Sequence, residues 1–220
     1  MIQQFAHHWF RILSLGLAFA CALVLGFGGA SQALANETPS DWDISLADSS
    51  LTFTTTKSGV AGVGGATETN RFKSFKGGLN RQGRIQLQIE LRSVDSGVQI
   101  RDERLKTLLW NVATQPSVQF SAQIDPQKLK QINDGKGAVP LTVDGKLTMA
   151  GQSVPIKAQL LVVAMKGNLW VSTREAIVID AKDFGLTPGV EALRAIVGLN
   201  FLSTSAPVSF QLALKPLSKS

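Results

Sequence analysis

The reactive side chains of this chain are unevenly placed. Its two histidines, His7 and His8, and its one cysteine, Cys21, all fall within residues 1–35. The other 220 − 35 = 185 residues contain no His, Cys or Tyr. No Ser–His or Cys–His nucleophile pair can form there. The usual ligand sets for zinc, copper or an iron–sulfur centre are also missing, so no metal or cofactor is expected. What remains is carboxylates: adjacent Asp102 and Glu103, and the neighbours Asp180 and Asp183. Two carboxyls facing one cleft would support acid–base chemistry of the glycosidase kind. An enzyme acting on a lipid or isoprenoid through Asp102, Glu103 or Asp183 therefore stays open as an alternative. A helix start, where acids meet the positive end of the dipole, and a strand-end turn explain the two pairs more simply. Lys57 and Lys182 have the chemistry for Schiff bases, but nothing in the sequence marks either as buried.

Two other clusters have ordinary explanations. Gly59-Val60-Ala61-Gly62-Val63-Gly64-Gly65 is rich in glycine, but no helical pattern follows it, so it reads as a hairpin tip and not a phosphate loop. Arg71, Lys73 and Lys76 are interleaved with Phe72 and Phe75, a composition that single-stranded nucleic acid can use. Strand alternation accounts for it equally, with Arg71, Lys73 and Phe75 on one face, and nucleic acid is not an expected partner. The chain carries 22 basic against 16 acidic side chains. That mild excess is compatible with transient attraction to an anionic membrane surface.

The elements that must position these groups begin after the first thirty-five residues. Arg11, an apolar run from Ile12 to about Phe27, then small residues ending Ala33-Leu34-Ala35 follow the order of a cleaved secretory signal. The expectation is cleavage near Ala35 and a periplasmic or secreted domain of residues 36–220. Having no cysteine, that domain must be stabilised by its core, and its length makes this feasible.

Period-two alternation dominates from there. Ile85, Leu87, Ile89 and Leu91 alternate with polar residues; so do Leu141, Val143, Gly145, Leu147 and Met149; so do Val208, Phe210, Leu212 and Leu214. Each such run is a strand with one apolar face. Leu51 with Phe53, Ile177 with Ile179, and Val154 to Ala164 are further candidates. Gly77-Gly78, Gln82-Gly83, Asp134-Gly135, Gly151 and Gly167-Asn168 are read as reversals. Two segments are helical in spacing. Asp102 to Val112 has its stripe at Leu105, Leu108, Leu109 and Val112. The second begins with Thr187 as N-cap and Pro188 at the first helical position, and stops at Gly198. The fold class is mainly β: a single antiparallel barrel with one or two short helices. About eight strands would enclose either a small ligand or the protein's own side chains. Alternation alone leaves both open, and a filled barrel acting as a stress-response or interaction module is the second alternative.

The residues then resemble a known family. Ser93-Val94-Asp95-Ser96-Gly97 with Arg101-Asp102-Glu103-Arg104-Leu105 is similar to the S-[IV]-D-[TS]-G…R-D-x-H-L signature of the YceI-like, polyisoprenoid-binding proteins. Gln115-Pro116 with Phe120, Gly145 to Gly151 with Val154-Pro155, and Asp183-Phe184-Gly185-Leu186 resemble later motifs in the same order. Asp48 to Phe53, and Phe72 with Phe75-Lys76-Gly77, resemble earlier ones. The likeness spans roughly residues 42–215. It implies a lipocalin-like barrel that binds an isoprenoid, quinone or fatty-acid-like lipid as carrier or sequestering protein, with a homodimer as a further arrangement. It departs from the family where the His of R-D-x-H-L is Arg104, where Leu109 and Trp110 replace two aromatics, at a missing opening His, and in a more helical segment from Thr187 to Leu202.

Taken with the alternation, the resemblance implies a ligand wall. Its expected members are Phe53, Phe72, Phe75, Leu87, Ile89, Leu91, Leu105, Leu109, Trp110, Phe120, Leu147, Leu160 and Phe184. Arg101 and Asp102 carry over from the motif, either as head-group contacts or as an ion pair and helix cap.

Overall fold

The computed structural model describes residues 41–59, 65–135 and 137–217. Residues 1–35, expected to be a signal peptide, and residues 60–64 of the glycine-rich stretch expected to be a hairpin tip lie outside the described residues. Alternation is realised as β-structure almost throughout. The strands are β1 (Trp42–Ile44), β2 (Ser50–Ser58), β3 (Gly65–Phe72), β4 (Phe75–Leu79), β5 (Arg84–Glu90), β6 (Val94–Asp95) and β7 (Ser117–Gln123), then β8 (Ala138–Met149), β9 (Gln152–Met165), β10 (Asn168–Thr173), β11 (Ile177–Asp180), β12 (Phe201–Leu202) and β13 (Ser205–Pro216).

Several of these are halves of one line. β1 and β2 lie end to end against β13, interrupted by a 3-10 turn at Leu46–Asp48. β3 pairs with β2 while β4 pairs with β1, so these two also form one line, bent at Lys73-Ser74. β10 and β11 share the far edge of β13. Counted this way, eight antiparallel lines run β1/β2, β3/β4, β5, β7, β8, β9, β10/β11 and β13, and β13 pairs back to β1 and β2 to close the ring. The expected lipocalin-like barrel is present. The hairpins between β8 and β9 and between β9 and β10 turn on Ala150-Gly151 and Lys166-Gly167. All four residues have positive φ, the conformation that matches tight turns to strand twist.

Among the described residues there are three helices, where one or two were expected: α1 (Gln99–Arg104), α2 (Pro126–Asn133) and α3 (Thr187–Ile196). The additional one is α2. Asp125 caps it by accepting from the backbone N–H of Gln127 and Lys128, and Pro126 starts it. It buries Leu129 and Ile132 against β8 and β9. Its other side chains, Gln127, Lys128, Lys130 and Gln131, mask that two-residue stripe in the sequence. The first expected helix starts earlier than Asp102, at Gln99, and passes at Leu105 into a π turn, Leu105–Leu109. For α3, the cap position is Leu186, one residue before Thr187, and Gly198 ends it with φ +64°.

Two other expectations are corrected. Gly77-Gly78 is not a reversal; it lies inside β4. A Cβ on Gly77 would sit 2.1 Å from the Gln86 carbonyl oxygen, so glycine there permits close approach of β5. Arg71 to Lys76 is not one strand, because the bend at Lys73-Ser74 separates Phe72 from Phe75.

Removing the α2 cap with Asp125→Ala should cost about 1 kcal/mol, measured as a lower urea midpoint with an unchanged slope.

Candidate functional site

The ring is not filled by its own side chains. A cavity of about 640 Å³ runs through it, within the roughly 300–1,000 Å³ range of small-molecule sites. One end is closed by α2, where Ile124 and Ile132 are on the wall. The other end lies between α1 and α3. There Val98, Ile100 and Val197 both line the cavity and are substantially exposed, so they mark its opening. Between the ends the wall is the inward face of the strands: Ile85, Leu87 and Ile89 from β5, Leu141, Val143 and Leu147 from β8, Val208, Phe210 and Leu212 from β13.

Local backbone devices shape this wall. In the π turn the Trp110 N–H donates to the Leu105 carbonyl five residues back, 3.1 Å. The widened turn brings Leu105, Leu109 and Trp110 together onto the cavity. Trp110 packs on Phe53, with ring centres 6.1 Å apart at 71°, and on Phe72 at 5.8 Å; Phe53 and Phe72 stack at 5.2 Å. Phe120 lies over Gly145, where a Cβ would fall 2.3 Å from the ring. α3 rests on the π turn through Gly189, since a Cβ there would be 2.7 Å from the Leu108 carbonyl oxygen.

Twelve of the fifteen expected residues lie on the wall: Phe53, Phe72, Leu87, Ile89, Leu91, Arg101, Leu105, Leu109, Trp110, Phe120, Leu147 and Leu160. Three do not. Phe75 faces inward by its pairing with Ile89, but it is packed within the core cluster of the closed end. Phe184 is 2% exposed and anchors the 3-10 turn Ala181–Phe184 in the core cluster of the open end. Asp102 accepts from the backbone N–H of Ser96 at 2.8 Å and from its hydroxyl, tying the Ser96-Gly97 turn to α1. It lies off the cavity wall, and this contact is neither the ion pair nor the helix cap weighed for it.

The polar wall was not anticipated. Thr55, Lys57, Glu68, Asn70 and Arg104 face the cavity with Arg101. The signal was present in the sequence: Thr55 and Lys57 continue the parity of Phe53, and Glu68 and Asn70 that of Phe72. Glu68 holds two cations on one oxygen, Lys57 Nζ and Arg101 at 2.8 Å each. It is the only carboxylate on the wall among the described residues. Glu103 and Asp183 are exposed; Glu103 pairs with Lys106. The candidate acid pairs therefore do not face the cavity. Lys182 is exposed and pairs with Asp180 at 3.4 Å.

Arg71 and Lys73 have a structural task. Both pair with Asp95, at 2.7 and 2.9 Å, while Gly97 N–H donates to its other oxygen. Hydrogen bonds from Lys73 first, then Arg71, hold this carboxyl well below the usual carboxylate range. A depressed pKa contributes stability above the unfolded value near ~4, and that stability is lost as pH falls through the folded value. Asp95→Asn should lower the urea midpoint at neutral pH. The gap from the native chain should shrink steadily as the pH is lowered from about 5, because the unfolded chain takes up the proton before the folded one does.

The family model of the YceI-like domain matches residues 42–214. No curated protein matches the sequence. Among solved structures, a polyisoprenoid binding domain from Saccharophagus degradans, implicated in plant cell wall breakdown, is similar at 27% identity and TM-score 0.74, covering 81% of this chain and 100% of that one. BcnA from Burkholderia cenocepacia shares the fold at 18% identity and TM-score 0.56, covering 77% of this chain and 98% of that one.

Proposed function

This chain belongs to the YceI-like family, and we propose that it binds the apolar tail of an isoprenoid or similar long-chain amphiphile inside its barrel. The observation that carries this reading is the cavity of about 640 Å³ that reaches from α2 to the opening at Val98, Ile100 and Val197. The similar domain from Saccharophagus degradans is described as polyisoprenoid binding, which supports the same tail chemistry here. Recognition is by desolvation. At about 0.8 kcal/mol per buried methylene, ten carbons contribute about 8 kcal/mol before the cost of lost freedom. Prenyl, quinone and acyl tails all meet that requirement. The proposed role is that of a carrier or sequestering protein, exported by cleavage after Ala35. No wall carboxylate is available as the second member of an acid pair among the described residues, which favours binding over catalysis.

Protein purified from the envelope fraction of its native host should begin at Asn36 and yield a long-chain lipid on extraction into organic solvent, read by mass spectrometry. Leu160→Trp, placed midway along the wall, should lower uptake of the neutral probe N-phenyl-1-naphthylamine at least about tenfold, for a stability cost of ~1–3 kcal/mol. An empty extract together with no probe uptake by the native chain overturns the reading.

The rim suggests where the lipid is exchanged. Ile100, Ile196, Val197 and Phe201 are each more than half exposed around the opening, and Lys57, Arg101 and Arg104 lie just inside it. Apolar side chains over inward cations suit docking on an anionic bilayer. Ile196→Asp with Phe201→Asp, both off the cavity wall, should reduce co-sedimentation with phosphatidylglycerol vesicles several-fold while leaving probe uptake intact. Equal sedimentation of both proteins counts against docking through this rim.

A further inference from the structure

We infer that α2 is a stop that limits the bound tail to about four isoprene units, with Ile132 as the residue that sets the limit. This rests on the lipid-binding reading and names the length class of tail that the barrel takes.

The stop is built into the fold. Ile124 and Ile132 line the cavity at its closed end, and both are buried from solvent. Leu129 is buried with them in the core cluster of that end and helps to hold α2 in place. The start of the helix is pinned to the neighbouring turn. The Ile124 N–H donates to the Gly83 carbonyl at 2.8 Å, and the Gln123 side chain donates to the Gln82 carbonyl. A Cβ on Gly83 would lie 2.9 Å from the Ile124 carbonyl oxygen, so the two backbones already touch. Ile124 and Ile132 offer only hydrocarbon from their side chains, which suits the methyl end of a tail.

Two measures of the space give the same limit. On β8 the wall runs from Leu141 through Val143 and Leu147 to Met149. Those residue steps of ~3.4 Å, at a barrel tilt of ~40°, reach about 20 Å along the axis. A prenyl repeat has four main-chain bonds and extends about 5 Å, at the reach per bond of an extended polypeptide, so about four repeats fit. Volume agrees. At ~30 Å³ per heavy atom, the share of one water molecule in the liquid, the cavity of about 640 Å³ holds about 21 heavy atoms, or again about four five-carbon units.

Length beyond that has one place to go. The cavity opens between α1 and α3, at Val98, Ile100 and Val197. A fifth unit pushes the molecule out there, and each carbon gained at the wall is matched by one returned to water. Desolvation then adds nothing. Affinity should climb with tail length up to four units and level off.

The test is displacement of N-phenyl-1-naphthylamine, from purified protein freed of co-purified lipid, by prenyl alcohols of two, three, four and five units. Each unit up to the fourth should tighten binding at least about tenfold, and the fifth by less than about threefold. Ile132→Ala deepens the closed end and should raise that last step to at least about tenfold. Leu109→Ala enlarges the cavity near its opening and should leave the last step small. Circular dichroism checks that each variant folds. If Ile132→Ala does not, Ile132→Val takes its place, and the last step should about double. Affinity that climbs undiminished from four to five units in the native protein overturns the limit. A last step that the Ile132 variant leaves unchanged, or that Leu109→Ala raises as much, overturns α2 as its cause. Native protein that takes up neither the probe nor any of the alcohols strikes the lipid-binding reading itself.

Discussion

The structure depends on a closed ring that its own side chains do not fill. Closure removes the open edges of the sheet and directs every second residue of eight lines into one enclosed space. The inward set is mostly aliphatic and medium-sized, with Gly145 and Ala158 among large neighbours, so the faces meet without filling the middle. Water gains little from such a space, because few wall groups can bond to it. An apolar chain gains much. The cavity follows from the pattern of alternation combined with the diameter that eight strands impose.

Polarity is separated along the barrel axis. The closed end is apolar and capped by α2, while the ionisable wall residues Lys57, Glu68, Arg101 and Arg104 sit toward the end bounded by α1 and α3. The Phe53, Phe72 and Trp110 rings form a collar next to the charged region. A molecule with one greasy end and one polar end has a single favourable orientation in such a vessel. The helices that frame the opening are short and held by close backbone contacts, as at Gly189 against Leu108, so their placement is specific although their length is small.

The barrel was legible because period two survives nearly every strand, and the motifs from Ser93 to Leu105 placed α1 against it. Most wall residues followed, since parity alone selects them once one inward residue is known. Other features were hidden for physical reasons. Phe75 and Phe184 have the right hydrophobicity, yet packing depth within a core is a tertiary property that alternation does not encode. The Lys73-Ser74 bend breaks parity between Phe72 and Phe75, and nothing local announces it. α2 was obscured because only Leu129 and Ile132 of its eight residues are buried. The polar wall was passed over because Glu68 and Asn70 look like solvent residues until the strand they occupy is curled into a ring.

The position of β13 in the chain has a consequence for how the protein comes into being. Its twelve residues hydrogen-bond to β1, β2, β10 and β11, and all of those are made before it. Until Ser205–Pro216 is synthesised, the nascent sheet stays open along two edges and its apolar face has no opposite wall. The pairing of Ile44 with Leu214 spans most of the chain, a connection of the slow, entropy-limited kind. The polypeptide thus has an inbuilt delay during which it is unlocked and adhesive, and it becomes a vessel only in its final step.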